Sequence, residues 1–240
     1  MVLSPAAAGV IHALGADGLV VGKTRSIRLF PHATVVGTHI RPNPELVAAC
    51  RPQLIVATSE KFFSRAMAER LGARFYLYDP RTLEEVLESI KELGRLLDRE
   101  MEAEELVKRL KDKLGRVVPP RVKPRVVYEV MQRPYMVAGK RSIVADIVER
   151  AGGIYVVDAP KKLVRTSCER VRMLRPQIYI YQVGPMNRNP VPPYERPCFR
   201  GLKMEVVRVD ELKFSRAGVE SFDRVLELNR LFVRWAGGKR

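Results

Sequence analysis

Short apolar runs alternate with helix-spaced apolar residues along most of this chain. The runs "QLIVAT" (53–58), "ARFYLYD" (73–79), "RVVYEV" (125–130), "QIYIYQ" (177–182) and "EVVRVD" (205–210) are strand-length. All five predict strands, and "QLIVAT" has too little polar alternation to leave one face in water. "MVLS" reads as the tail of a strand, "GLVVGKT" as a short buried strand and "IYVVD" as a short strand. Between them stand helical segments. "PAAAGVIHALGA" has Ser4 placed as N-cap and Pro5 at the first helical position. "PELVAACRP" is stopped by Pro52, and "FFSRAMAERLG" is closed by Gly72. "TLEEVLESIKELGRLL" opens on Thr82 with Glu85 three residues on, a capping box. "SIVADIVERAGG", "SCERVRML" and "GVESFDRVLELNRLFVRWA" complete the set. Alternating strands and helices predict an α/β fold with a parallel sheet covered on both faces.

Residues 98–117, "DREMEAEELVKRLKDKLGRV", break the rhythm. Glu104/Lys108 and Glu105/Arg109 stand four apart with the acid first, the favoured order on a helix. Apolar positions are sparse, so much of this helix faces water. "VVPPRVKP" follows, then a new strand. A long polar helix and a proline-rich stretch mark a connection between domains. The expected plan is an N-terminal α/β lobe at 1–97, a bridging helix at 98–118 and a C-terminal α/β lobe at 119–240. The loop "GPMNRNPVPPYERPCFRG" (184–201) holds five prolines and is too long and stiff for a simple turn.

One phrase occurs in both halves. Glu45, Val47, Arg51, Pro52 and Gln53 recur as Glu169, Val171, Arg175, Pro176 and Gln177, each 124 residues later. Packing needs account for matched apolar positions but not for matched Glu and Arg-Pro-Gln. The halves are read as a duplication, or as convergence on one two-lobed plan.

Composition narrows the function. Apolar content is 46% and charged content 29%, a globular balance. No apolar run approaches membrane-spanning length, and the N-terminus lacks a basic start followed by an apolar core, so no secretory signal is read. Net charge is +16, which raises nucleic acid or another polyanion as a partner. The 43 Lys and Arg are scattered, however, and no RNP, zinc-finger or basic-zipper pattern is present. Asn and Gln number four each against abundant Arg, a balance that fits a heat-adapted source. Cys50, Cys168 and Cys198 have no metal-ligand spacing. Their odd count speaks against a disulfide framework, and Cys50 and Cys168 are expected as small buried hydrophobes.

The chain resembles the substrate-binding proteins of ABC importers for cobalamin, haem and ferric siderophores. The resemblance is carried by Ser4-Pro5, Leu14-Gly15-Ala16, Val20-Val21-Gly22, Asn43-Pro44-Glu45, Pro52-Gln53-Leu54-Ile55, the helix at 98–117, Ala138-Gly139-Lys140-Arg141-Ser142 and Glu169. Order and spacing together cover nearly the whole chain. Gln53 and Gln177 stand where the family usually has Asp. The chain starts within the first expected strand, without signal or lipid-attachment cysteine. The resemblance implies two Rossmann-like lobes joined by one helix, with the ligand in a cleft between lobes and an ABC permease as partner. It implies transport rather than catalysis, by a monomer in an extracytoplasmic, membrane-associated setting if a signal segment is missing from this chain and in the cytoplasm otherwise.

In that family one acidic residue on each lobe docks on permease arginines, which here falls to Glu45 and Glu169. Either also suits the first turn of a helix through the helix dipole. Ligands of open α/β sheets gather at the carboxyl ends of strands. That rim includes Lys23, Thr24, Arg25, Arg28, Thr38 and His39 in the first half. In the second it includes Arg133, Tyr135, Arg165, Gln182 and Arg216. So many guanidinium groups favour an anionic ligand, a carboxylate- or catecholate-bearing metal chelate or a tetrapyrrole with acidic arms, and with the resemblance the candidates are a ferric siderophore, haem or a corrinoid. His39 is a candidate ligand to the metal of such a chelate; Tyr135 is a candidate for stacking on a flat ligand or for binding haem iron. No resident cofactor, metal site or catalytic apparatus is read. Two other readings stand beside this one: an intracellular basic protein binding nucleic acid or another polyanion, and a two-lobed α/β transferase.

Overall fold

A computed structural model describes residues 1–238. The chain divides into two units. Unit 1 takes residues 1–80, 84–109 and 217–219; unit 2 takes 81–83, 110–216 and the chain from 220 onward.

Unit 1 runs through α1 (Ala8–Ala13), β1 (Gly22–Lys23), β2 (Thr34–Val35), β3 (Gly37–Thr38), β4 (Arg41–Pro42), α2 (Pro44–Ala49), β5 (Leu54–Ala57), α3 (Arg65–Arg70), β6 (Arg74–Leu77) and most of α4 (Leu83–Leu96) and α5 (Glu100–Leu114). Its sheet is parallel. β1 pairs with β2 and β5 with β6, and Val2 bridges Lys23 on one side and Val56 on the other. Leu3, Val36, Val47, Ile55 and Phe63 fill the core against it. The first helix starts later than its sequence suggests. α1 begins at Ala8 with no side-chain cap, and the buried Ser4 hydroxyl has no hydrogen-bond partner among the described residues. α5 matches the expected polar helix. A left-handed Asp98 (φ 53°) separates it from α4. A Cβ on Gly94 would lie 2.5 Å from that of Ala103, so the two helices meet only where a glycine permits. The buried Tyr78 hydroxyl donates to the Ala217 carbonyl at 3.0 Å, tying residues 217–219 into this unit.

Unit 2 holds β7 (Arg125–Met131), β8 (Met136–Ala138), α6 (Ile143–Arg150), β9 (Ile154–Tyr155), β10 (Leu163–Arg165), α7 (Cys168–Met173), β11 (Ile178–Val183), β12 (Glu205–Asp210), α8 (Glu211–Phe214) and α9 (Glu220–Gly237). The order is β10-β8-β7-β11-β12, with β9 beside the start of β7. β9, β7, β11 and β12 are parallel; β8 and β10 join antiparallel. Phe222, Val225, Leu228 and Phe232 of α9 are buried. Asn229 within that stripe is satisfied: its amide donates to Val118 O (2.7 Å) and Ala151 O (3.0 Å) and accepts from Val118 N. At the other end of the unit, Leu83 N donates to Asp146 Oδ2 at 2.7 Å.

The repeated phrase is a structural module. α2 and α7 are each six residues long, capped by Asn43 and Ser167 through side-chain oxygens. Val47 and Val171 are their buried anchors. Arg51 and Arg175 follow as the stop, both in the left-handed region (φ 45° and 47°). Their N–H groups donate to Ala48 O and Arg172 O. Pro52 and Pro176 are buried, and the Gln53 and Gln177 carbonyls receive Arg74 N and Glu205 N from the adjacent parallel strand. Helix, left-handed stop, proline and strand start form one turn built twice.

The cysteine expectation is overturned in part. Cys168 and Cys198 form a disulfide with Cα atoms 6.2 Å apart, while half-buried Cys50 is free. An odd count conceals such a pair whenever the remaining cysteine is a bystander. The bridge staples α7 to the proline-rich loop.

Two outcomes follow for stability. Arg51→Gly relieves a left-handed backbone and raises stability by about 0.5–1 kcal/mol, whereas Arg51→Val lowers it by about 1–2 kcal/mol; urea midpoints check the order. Thiol titration of the unfolded, unreduced protein finds one reactive thiol, and three after reduction. Reduction removes about 3–4 kcal/mol of stability by the chain-entropy estimate.

Candidate functional site

Because β7, β11 and β12 are parallel, their carboxyl ends at Met131, Val183 and Asp210 share one edge of unit 2. The β7–β8 turn there carries Arg133 and Tyr135. Arg165 ends β10 opposite Met136, and Thr166 N donates to Tyr135 O at 3.1 Å, so Arg165 lies beside them. Arg133 and Arg165 are exposed and Tyr135 is half-buried. Arg216 emerges at the same edge after α8. Its burial lowers the guanidinium pKa against the pull of Glu211 and Asp210. Glu211 is itself buried and pushed up by desolvation, and it accepts Met186 N at 2.7 Å. Gln182, expected on this rim, is buried instead: it accepts from the Tyr128 hydroxyl and donates to Val130 O.

Beneath the edge lies a chain of buried polar groups. Glu129 on β7 has no exposed surface and accepts from both terminal guanidinium nitrogens of Arg196, with Nη2 to Oε1 at 2.9 Å, while Arg196 Nε donates to Val191 O. The Tyr179 hydroxyl donates to Glu129 Oε2 at 2.5 Å. Tyr179's single proton is thereby committed, so the Tyr135 hydroxyl donates to the Tyr179 oxygen. The Tyr135 oxygen keeps its lone pairs for a donor or a metal. Burial pushes both phenols above their ordinary pKa, with the Glu129 charge adding to the effect. For Arg196, burial opposes the charge and Glu129 outweighs it, holding the guanidinium pKa up. Arg196 belongs to the proline-rich loop. Phe199 of that loop packs edge-on against Tyr179 at 5.1 Å. Asn187 donates to Gln182 O and accepts Gln132 N.

In unit 1, Arg25 and Arg28 are exposed on the segment after β1. Lys23 does not belong to the rim. It is buried, and its ammonium donates to Leu29 O at 2.7 Å, bracing the segment that carries both arginines. Thr24 is buried as well. His39 is exposed in the β3–β4 turn and engaged within the protein; Thr38 Oγ1 accepts Arg41 N there. Arg25, Arg28 and His39 thus stand in unit 1, and Arg133, Tyr135, Arg165 and Arg216 in unit 2.

Glu45 and Glu169 occupy the same place in α2 and α7, the first turn, and both are exposed. Hydrogen bonds from its own backbone N–H and from the Ser167 hydroxyl hold the Glu169 carboxyl below its ordinary pKa.

A family model described as "Periplasmic binding protein" matches residues 1–175. The chain belongs to the periplasmic binding protein family. The high-affinity heme uptake system protein IsdE of Staphylococcus aureus strain Newman is 26% identical over 172 residues, which is 67% of this chain and 59% of that relative's length. An ABC transporter substrate-binding protein from Listeria monocytogenes EGD-e superposes with TM-score 0.83 at 19% identity, over 98% of both chains. Heme-bound S. aureus IsdE gives 0.79 at 21% identity, covering 96% and 97%. The vitamin B12 binding protein BtuF of Vibrio cholerae gives 0.71 at 18%, covering 100% and 97%. At these identities the superpositions speak for the fold, which is the α/β two-lobed one expected. Among the described residues no helix is long and apolar enough to cross a membrane.

Glu129, Tyr179 and Arg196 escaped the sequence reading. One signal was present: a lone acid inside the apolar run "RVVYEV" demands a buried cation. Arg196→Met leaves Glu129 uncompensated and costs about 3–5 kcal/mol. Arg133→Met, on the exposed rim, costs less than about 0.5 kcal/mol. Denaturant melts of the two variants check the contrast.

Proposed function

We propose that this periplasmic binding protein is the substrate-binding component of an ABC importer, working as an extracytoplasmic monomer. Its ligand is an acid-bearing metal chelate, haem first among them, with ferric siderophores and corrinoids in the same class. The observation that carries the docking role is the twin module. Two helices of equal length, each with a side-chain cap and a left-handed arginine stop, expose one glutamate at the same position. In a chain of net charge +16, paired acids at matched places suit a partner that offers arginines. In this reading, residues 1–97 and 119–240 are the two lobes and 98–118 the helix that joins them in the chain.

On the ligand side, Arg25, Arg28, Arg133, Arg165 and Arg216 supply cations for carboxylate arms, and Tyr135 supplies an oxygen with free lone pairs. His39 is a second metal-facing candidate. The heme uptake role of the staphylococcal relative agrees with this chemistry. The Cys168–Cys198 disulfide agrees with an oxidising compartment.

Glu45→Arg combined with Glu169→Arg abolishes uptake in cells carrying the cognate permease while ligand affinity holds. Normal transport by the double variant removes the docking role. An absorbance spectrum with metal analysis of protein purified from its native source shows a Soret band for haem. A colourless, metal-free protein across growth conditions contradicts the ligand class.

A further inference from the structure

A basic concavity lies at the end of the unit 2 sheet opposite the Tyr135 edge. Arg125 opens β7, Gln177 precedes β11 and Glu205 opens β12, so this is the amino edge, separated from Tyr135 by the length of a six-residue strand, about 20 Å. A cavity of about 580 Å³ sits there, lined by Arg125, Arg172, Arg175 and Lys203, with Met173 and Leu202 as apolar wall. No acid lines it.

Two of the four cations are fixed in place. Arg125 Nη2 donates to Leu174 O at 2.8 Å. Arg172 Nη1 donates to Cys198 O at 2.9 Å and Arg200 O at 2.7 Å. Those carbonyls orient the guanidinium groups without neutralising them. Among the described residues, Arg175 and Lys203 have no side-chain hydrogen bond or ion pair. Arg175 is also held in a left-handed backbone that glycine would adopt at lower cost. Four like charges around one hollow repel each other, and an anion of matching charge relieves that repulsion. A single carboxylate leaves most of the charge unmet; a phosphate group carries more charge and accepts guanidinium forks bidentately.

We infer that this cavity binds a phosphate-bearing anion through Arg125, Arg172, Arg175 and Lys203, at a site separate from the carboxyl edge. Met173, 79% exposed, and Leu202 suit an apolar body attached to the phosphate. The source is a soluble diphosphate compound or the headgroup of an anionic lipid, and one experiment separates them.

The full chain is titrated with inorganic pyrophosphate by calorimetry at physiological salt. In parallel it is floated with vesicles of phosphatidylcholine alone or with phosphatidylglycerol added. Arg175→Gly is the decisive variant because it relaxes the backbone and keeps the fold. Arg51→Gly makes the same backbone change in unit 1, away from the cavity. The expected result is one-site binding that weakens roughly tenfold or more in Arg175→Gly, the loss of a charged hydrogen bond, and is unchanged in Arg51→Gly. Binding of pyrophosphate assigns the soluble source; binding confined to phosphatidylglycerol vesicles assigns the lipid. Absence of both, or equal loss in both variants as diffuse charge would give, overturns the inference. Haem or other chelate binding does not enter the readout, so the result stands apart from the importer reading.

Discussion

A carboxylate with no exposed surface, set in the middle of a mixed sheet between a parallel and an antiparallel neighbour, cannot be left without a counter-charge. Glu129 imposes that constraint on unit 2, and Arg196 answers it from a loop far along the chain. Withdrawal of a buried ion from water costs several kcal/mol unless its partner arrives with good geometry. The loop is therefore ordered although five prolines and few regular hydrogen bonds would otherwise leave it loose. Arg196, Phe199, Asn187 and the Cys198 bridge pin it at four places. The same carboxylate fixes the direction of two phenolic protons and so the chemical face that Tyr135 offers.

The twin helices show how a short element can hold a side chain accurately. Six residues are too few for a helix to stand alone in water. Each is held by a cap at one end, a buried valine beneath and a left-handed stop followed by a buried proline. Glu45 and Glu169 inherit their positions from that frame. In α7 the disulfide begins one residue before Glu169, which restrains the helix further. Most of this protein's surface charge is positive and scattered; its acids matter where the backbone places them alike.

Much of this was legible in the residue pattern. The strands at 54–57, 125–131, 178–183 and 205–210 lie within or along the apolar runs, and the helices at 44–49, 65–70 and 100–114 within their periodic segments. Strands β2, β3, β4, β8 and β10 were not foreseen. With two or three residues each, they cannot show the alternation that marks a strand, and neighbours alone create them. Ser4 has the composition of an N-cap, yet the chain passes through a turn before the helix starts. Arg133, Tyr135 and Arg165 could be chosen as rim residues because strand ends place them. Arg196 could not, because its role depends on a fold-back across 67 residues to an acid. Lys23 and Gln182 looked like rim residues by position, and their side chains turned inward to satisfy backbone carbonyls and a phenol.

The two units are compact in contacts but interleaved in sequence. Residues 217–219 complete unit 1 through the Tyr78 hydroxyl, and Arg81–Leu83 complete unit 2 through Asp146. No single cleavage point releases either unit whole. A fragment ending near residue 109 would carry a buried phenol stripped of its acceptor, and the complementary fragment would lack the backbone donor for a half-buried carboxylate. Modular exchange of one half between relatives must therefore transplant a three-residue patch along with it.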